Sequence, residues 1–292
     1  RPQLGKLDKN LPGPFHFNHS IARVEADGKV YWLDATGRYD SFDTTQYRNQ
    51  GVHVVVANPD KPFLDFIPVQ SAEHNNSTTK AVFTPSGNGE VMVEVSRSAA
   101  GNSGSAYRGR SYDYNDDKWK KWIESYIAES YPQAAVVEQS YSGKEDNEAP
   151  FVINVKARIP EALQPTGHGY SFEVKELFPS SIFEDFTLPK RRYGLDLNFK
   201  WKRKNRFEVK IPDGMKVSGM PNNVMHDDEF VKIERLSQIE NDKVVTVLTW
   251  VNKNLQIPAD KYEKARKSFQ KVLDATSFVV MFEPEKKEKK SS

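Results

Sequence analysis

Short runs of alternating apolar and polar residues, separated by turn-forming residues, set the strongest limit on how this chain can fold. Val91, Val93 and Val95 alternate with polar neighbours, and Pro85-Ser86-Gly87-Asn88-Gly89 separates them from an earlier run over 78–84. A period of two puts successive side chains on opposite faces, so such runs specify half-buried antiparallel strands. Further strands are expected at 135–141, 151–159, 170–177, 194–201, 206–211, 230–238, 243–251 and 277–282. The β-branched run 51–57 (GVHVVVA) reads as a buried strand. Only two stretches carry a helical stripe. Trp119, Trp122, Ile123, Tyr126 and Ile127 recur at spacings of three and four over 116–130, with Asn115 or Asp116 as a cap. Tyr262, Ala265, Phe269 and Val272 share one face of a helix over 259–273. The small, Gly-rich stretch 99–105 reads as a flexible loop. The expected fold class is mainly β (α+β), in antiparallel sandwich-like layers with two helices.

Turn-rich links at 58–62 and 160–169 divide the chain into 1–60, a β-rich region with one helix at 61–165, a β-rich region ending helix–strand at 166–286, and a charged tail at 287–292. A net charge of +2 argues against charge-driven nucleic-acid binding. No run approaches the roughly 20 apolar residues that a membrane-spanning helix needs. The complete absence of Cys excludes disulfides and Cys-based zinc sites.

The stretch FHFNHSIARVEADGKVYWLDAT, residues 15–36, reads as a β-hairpin turning at Asp27-Gly28. His19 opens one arm and Asp34 closes the other, so folding brings the two ends together. A carboxylate beside an imidazole fixes the ring's tautomer and stabilises its protonated form, as a nucleophile's general base requires.

A His, an apolar strand, a D-G turn, an aromatic strand and D-x-T, in that order, resemble the second half of a transglutaminase-like catalytic core. These are papain-related enzymes with a Cys-His-Asp triad. The F-N-H opening and Y-W-L-D-A-T close are similar to a bacterial, Bacteroidetes-type branch whose core lies between two strand-rich domains of unknown function. The late hairpin, I-P-A-D-K-Y at 257–262, a helix and a short apolar strand resemble the end of that branch's C-terminal domain.

The resemblance implies a partial antiparallel core over 1–60, His19 as base and Asp34 as its orienting group. It also implies a protein or peptide substrate, no cofactor, and a periplasmic, cell-envelope or secreted location. Ala35 stands where the family often has Pro, and the family's nucleophilic Cys has no counterpart. Two readings follow. The chain is the C-terminal portion of a thiol protease or transamidase whose N-terminal Cys-bearing segment is missing. Alternatively, it is a non-catalytic envelope binding or scaffold protein with a degenerate core. Either way, the chain alone should lack amidase and transamidase activity.

Other candidates read as structural. No metal-ligand spacing is diagnostic. The acidic turn Asp227-Asp228-Glu229 beside His226 could hold a cation but reads as solvated, and Asp113–Asp117 suits a helix N-terminus better than calcium. Trp119 and Trp122 read as packing, with Trp122→Ala expected to cost roughly 3–5 kcal/mol. The basic run 200–206 reads as a charged strand end.

Overall fold

The structure, a computed structural model, describes Leu7, Gly13 and residues 16–86 and 89–285. Phe15, most of the expected arm at 1–14, Gly87, Asn88 and the charged tail at 287–292 lie outside the described residues. The fold is mainly β, with antiparallel sheets and a few helices.

Two short hairpins come first. β1 (Ala22–Ala26) pairs with β2 (Lys29–Leu33), and β3 (Val52–Val56) pairs with β4 (Phe63–Ile67). Asp27 and Gly28 both have positive φ at the first turn, as the D-G dipeptide allows. β3 is not a buried strand. Among the described residues its only strand partner is β4, and Val55 is 53% exposed.

The main body follows. β5 (Asn76–Pro85) and β6 (Val91–Ala99) form the hairpin read from the alternating valines. Helices α1 (Gly101–Asp113) and α2 (Asp116–Ser130) come next, then β7 (Ala135–Ser142) and β8 (Phe151–Ile159). β9 (Leu163–Thr166), β10 (Gly169–Lys175), the two-residue β11 (Leu195–Asp196), β12 (Lys202–Lys210), β13 (Met215–Gly219) and β14 (Val224–Asp227) continue the chain. It ends with β15 (Val231–Glu240), β16 (Lys243–Asn252), β17 (Gln256–Ile257), α3 (Tyr262–Ala275) and β18 (Ser277–Pro284).

Both expected helices are present. The stretch expected as a loop at 99–105 is instead the end of β6 and the start of α1. The strand expected at 194–201 shrinks to β11, after which Asn198 adopts positive φ.

Eight strands form one sheet in the order β14-β15-β16-β12-β5-β6-β8-β7. Every neighbour pair in it is antiparallel except β5 and β12, which run parallel from Asn76↔Lys202 to Phe83↔Val209. The sheet therefore crosses the sequence boundary at residue 165. A second sheet, β13-β18-β10-β9, faces it. Phe83 on β5 meets Phe172 on β10 at 5.3 Å between ring centres, and Phe207 on β12 meets Phe278 on β18 at 5.5 Å.

α2 lies on the same core. Asn115 caps it by accepting from Lys118 N at 3.0 Å. Trp119, 4% exposed, packs 4.7 Å from Tyr141 and 6.0 Å from Phe151. Trp122 is only partly buried, and the Arg110 guanidinium covers it at 4.6 Å. α3 buries Tyr262 and Phe269 against Phe186.

α1 forms despite a composition rich in Gly and Ser because tertiary contacts hold it. Gly101 has φ +59°, and a Cβ there would meet His74 O and lie 2.6 Å from Asn75 Oδ1. Arg108, 2% exposed, donates to four backbone carbonyls: Gly143 at 2.9 Å, Tyr39 at 2.8 Å, Asp146 at 3.0 Å and Ala149 at 2.7 Å. It thereby ties the hairpin layer to the β7–β8 turn.

Candidate active site

His19 precedes β1 and Asp34 follows β2, so the hairpin register carries both to the same end. His19 Nε2 lies 2.7 Å from Asp34 Oδ2. The imidazole is 37% exposed and the carboxylate only 6%. Asp34 is held from three other directions. Thr36 donates to Oδ1 through its backbone N–H at 3.0 Å and its hydroxyl at 2.7 Å. Asn49 Nδ2 donates to Oδ2 at 2.9 Å. The D-x-T spacing thus has a local cause, since a residue two positions on can turn both donors back to the carboxylate.

Burial is the largest influence on Asp34 and works against ionisation. The hydrogen bonds from Thr36 and His19 overcome it and hold the carboxyl below its usual range. An ionised Asp34 makes Nε2 of His19 the donor in this contact and leaves Nδ1 outside it. The geometry is that of an imidazole oriented by a fixed carboxylate, with an accessible ring.

Asn49 was not visible as a site residue, because it sits in a polar loop without periodicity. The loop is ordered by a network of its own. Gln50 Nε2 donates to Thr45 O at 2.7 Å, and Gln70 N donates to Gln50 Oε1 at 3.0 Å. Arg23 on β1 reaches Asp65 Oδ2 on β4 at 2.9 Å, which joins the two hairpins.

The remaining candidates are accounted for by packing and pairing. His226 Nε2 lies 2.9 Å from Asp228 Oδ2, and Asp228 also accepts from Ser268 at 2.5 Å and from the N–H groups of Phe230 and Val231. Glu229 pairs with Lys261 and Lys264, each at 2.7 Å, and Asp227 pairs with Lys253. Among the described residues no group of three or more His, Asp or Glu could hold a metal ion. In the basic run, Lys202 pairs with Glu73 at 2.9 Å, Arg203 with Glu176 at 3.2 Å, and Arg206 with Glu208 at 2.7 Å. Among the described residues no helix is long and apolar enough to cross a membrane.

Together these features define a mainly β protein with a His–Asp pair, its imidazole exposed and its carboxylate largely buried, on a hairpin layer. Residues 173–282, from β10 to β18, match a family described as a domain of unknown function with a solved structure, DUF3858. No curated protein and no solved structure matches the chain.

Proposed function

We propose that the chain supplies the His and Asp of a transglutaminase-like thiol enzyme of the bacterial cell envelope, His19 as base and Asp34 as its orienting group. The single observation that carries this reading is the 2.7 Å contact from Nε2 of His19 to a carboxylate fixed by Thr36 and Asn49. The match to DUF3858 supports it, because that domain is associated with transglutaminase-like proteins.

The nucleophile comes from outside this sequence, which contains no Cys. The hairpin layer has a surface suited to receive the segment that bears it. His53, Val55, Leu64 and Phe66 share one face of the β3–β4 ribbon, where the register pairs His53 with Phe66 and Val55 with Leu64. Val55, Leu64 and Phe66 are 53%, 42% and 45% exposed. Two-stranded ribbons are marginal alone, and a clustered apolar face marks an interaction surface.

In the proposed reaction, Nδ1 of His19 takes the thiol proton and the thiolate attacks a peptide amide carbonyl. The C–N bond then breaks, the imidazolium returns its proton to the leaving amine, and a thioester remains. Water or a second amine, deprotonated by His19, releases the acyl group and regenerates the thiol.

The test is co-expression of this chain with the Cys-bearing segment encoded upstream in the same reading frame, assayed on peptide amides. Turnover should require both parts, and His19→Ala should reduce it roughly a thousandfold or more. A frame without an upstream Cys, or turnover by the chain alone that survives His19→Ala, would sink the proposal.

A further inference from the structure

The inner face of the eight-stranded sheet is apolar at one end and polar at the other. Ser77 and Thr79 on β5, Arg97 on β6, and Arg203 and Asn205 on β12 occupy the polar end, with Ser77 opposite Arg203 and Thr79 opposite both Arg97 and Asn205. A cleft of about 200 Å³ opens there, lined by residues that include Asn75, Ser77, Ser103, Ser181, Trp201 and Arg203. We propose that this cleft binds the oxyanion of a ligand, a carboxylate or phosphate group.

Charge is the first argument. Arg97 is 2% exposed, and its guanidinium donates only to neutral oxygens: Tyr107 at 3.1 Å, Thr79 at 2.9 Å and Ser77 at 3.2 Å. Arg203 donates to Glu176 at 3.2 Å and to Phe178 O at 2.9 Å. Among the described residues Glu176 is thus the one acid bonded to this pair of guanidiniums, and it pairs with Arg203 and not with Arg97. Asp185, also in the cleft lining, faces its own cation, Arg191, at 4.0 Å. A buried charge without a counter-ion is costly, and an arriving anion removes that cost. Burial first, and Arg97 in addition, already pull Arg203 below its ordinary ionisation range.

Donor geometry is the second argument. Asn75 Oδ1 accepts from Asn102 N at 2.9 Å and Asn102 Nδ2 at 3.0 Å, which fixes the amide's orientation. Its Nδ2 then has no acceptor among the described residues, and neither has Trp201 Nε1. Ser77 accepts from Arg97, so its own hydroxyl proton remains to be donated. Ser103 lies in the first turn of α1, which carries no acidic residue and no side-chain cap at Ala100. A helix start of that kind favours negative charge. Arg203, Ser77, the unpartnered donors of Asn75 and Trp201 and the start of α1 line one cleft, with Arg97 bonded to Ser77 from behind it, and these groups suit acceptor oxygens.

The site is independent of the acyl-transfer reading. The test titrates the full chain with sodium acetate or inorganic phosphate at constant ionic strength, with acetamide as the neutral analogue of acetate. Tryptophan fluorescence and the thermal midpoint are the readouts. One oxyanion or both should give a saturable fluorescence change and a higher midpoint, with no response to acetamide; the ion that responds identifies the group. Ser103→Glu places a like charge in the cleft while suiting the helix start, so it should keep the circular dichroism spectrum and weaken binding by more than roughly tenfold. Asn75→Asp retains the acceptor for Asn102 and should weaken binding in the same way. A saturable response to neither ion, an equal response to acetamide, or unchanged affinity in a folded variant overturns the proposal.

Discussion

Glu208 offers a direct test of how the two halves of the chain are held together. It lies on β12, between β5 and β16, on the outer face of the large sheet. Its carboxylate accepts from Lys243 at 2.6 Å and Arg206 at 2.7 Å, and Lys80 on β5 approaches to 3.4 Å. The side chain is only 4% exposed. Burial is the largest influence and opposes ionisation, but the hydrogen bonds from Lys243 and Arg206 and the charge of Lys80 prevail. They lower the carboxyl from 4.5 to about 2. At about 1.4 kcal/mol per pH unit, that gap corresponds to about 3 kcal/mol of stability. Most of it belongs to Lys243 and Arg206, because Lys80 is 55% exposed and solvent screens it.

The lowered value sets the direction with pH. The contribution is complete above pH 4.5 and is lost as pH falls toward about 2. Urea unfolding of wild type and Glu208→Gln, measured from pH 7 to pH 2, isolates the group. The wild type should be more stable by about 2–3 kcal/mol at pH 7, since Gln keeps part of the hydrogen bonding. The difference should fall away through the acid range. Parallel curves for the two proteins across that range would refute the reasoning.

Trp119→Ala should cost roughly 3–5 kcal/mol in urea unfolding, while Trp122→Ala, at a more exposed position, should cost roughly half as much. Gly101→Ala should lower the thermal midpoint by the equivalent of more than about 1 kcal/mol, because a Cβ meets the backbone of His74 at a left-handed φ. Arg108→Lys keeps the charge but loses the forked donors, so limited proteolysis should cut faster near 143–149 and 38–42.

Most strands were legible because each carries its own signal. The alternating valines of β6 are buried at Val91, Val93 and Val95, and the tryptophan stripe of α2 stands where its spacing put it. The His19–Asp34 contact was legible because one turn dipeptide sets the register of a short hairpin. The exceptions depend on distant residues. The Gly and Ser residues within 101–113 mask any helical stripe; Gly101 accepts the close approach of Asn75, and Arg108 finds its carbonyls at 39 and 143–149. Asn49 reaches Asp34 only because a glutamine network shapes its loop. The pairing of β5 with β12 joins strands far apart in sequence, and neither strand's pattern names its partner.

That parallel pairing also dictates an order of events during synthesis. β6 can close on β5 as soon as the hairpin is made, but the other edge of β5 waits for Lys202–Lys210 to emerge. Until then Asn76–Pro85 offers an open row of backbone groups to any extended chain nearby. Long-range parallel contacts form slowly and leave such edges exposed. A nascent chain halted before β12 is therefore the form most prone to pair with a copy of itself, and arrival of the C-terminal half is what ends that exposure.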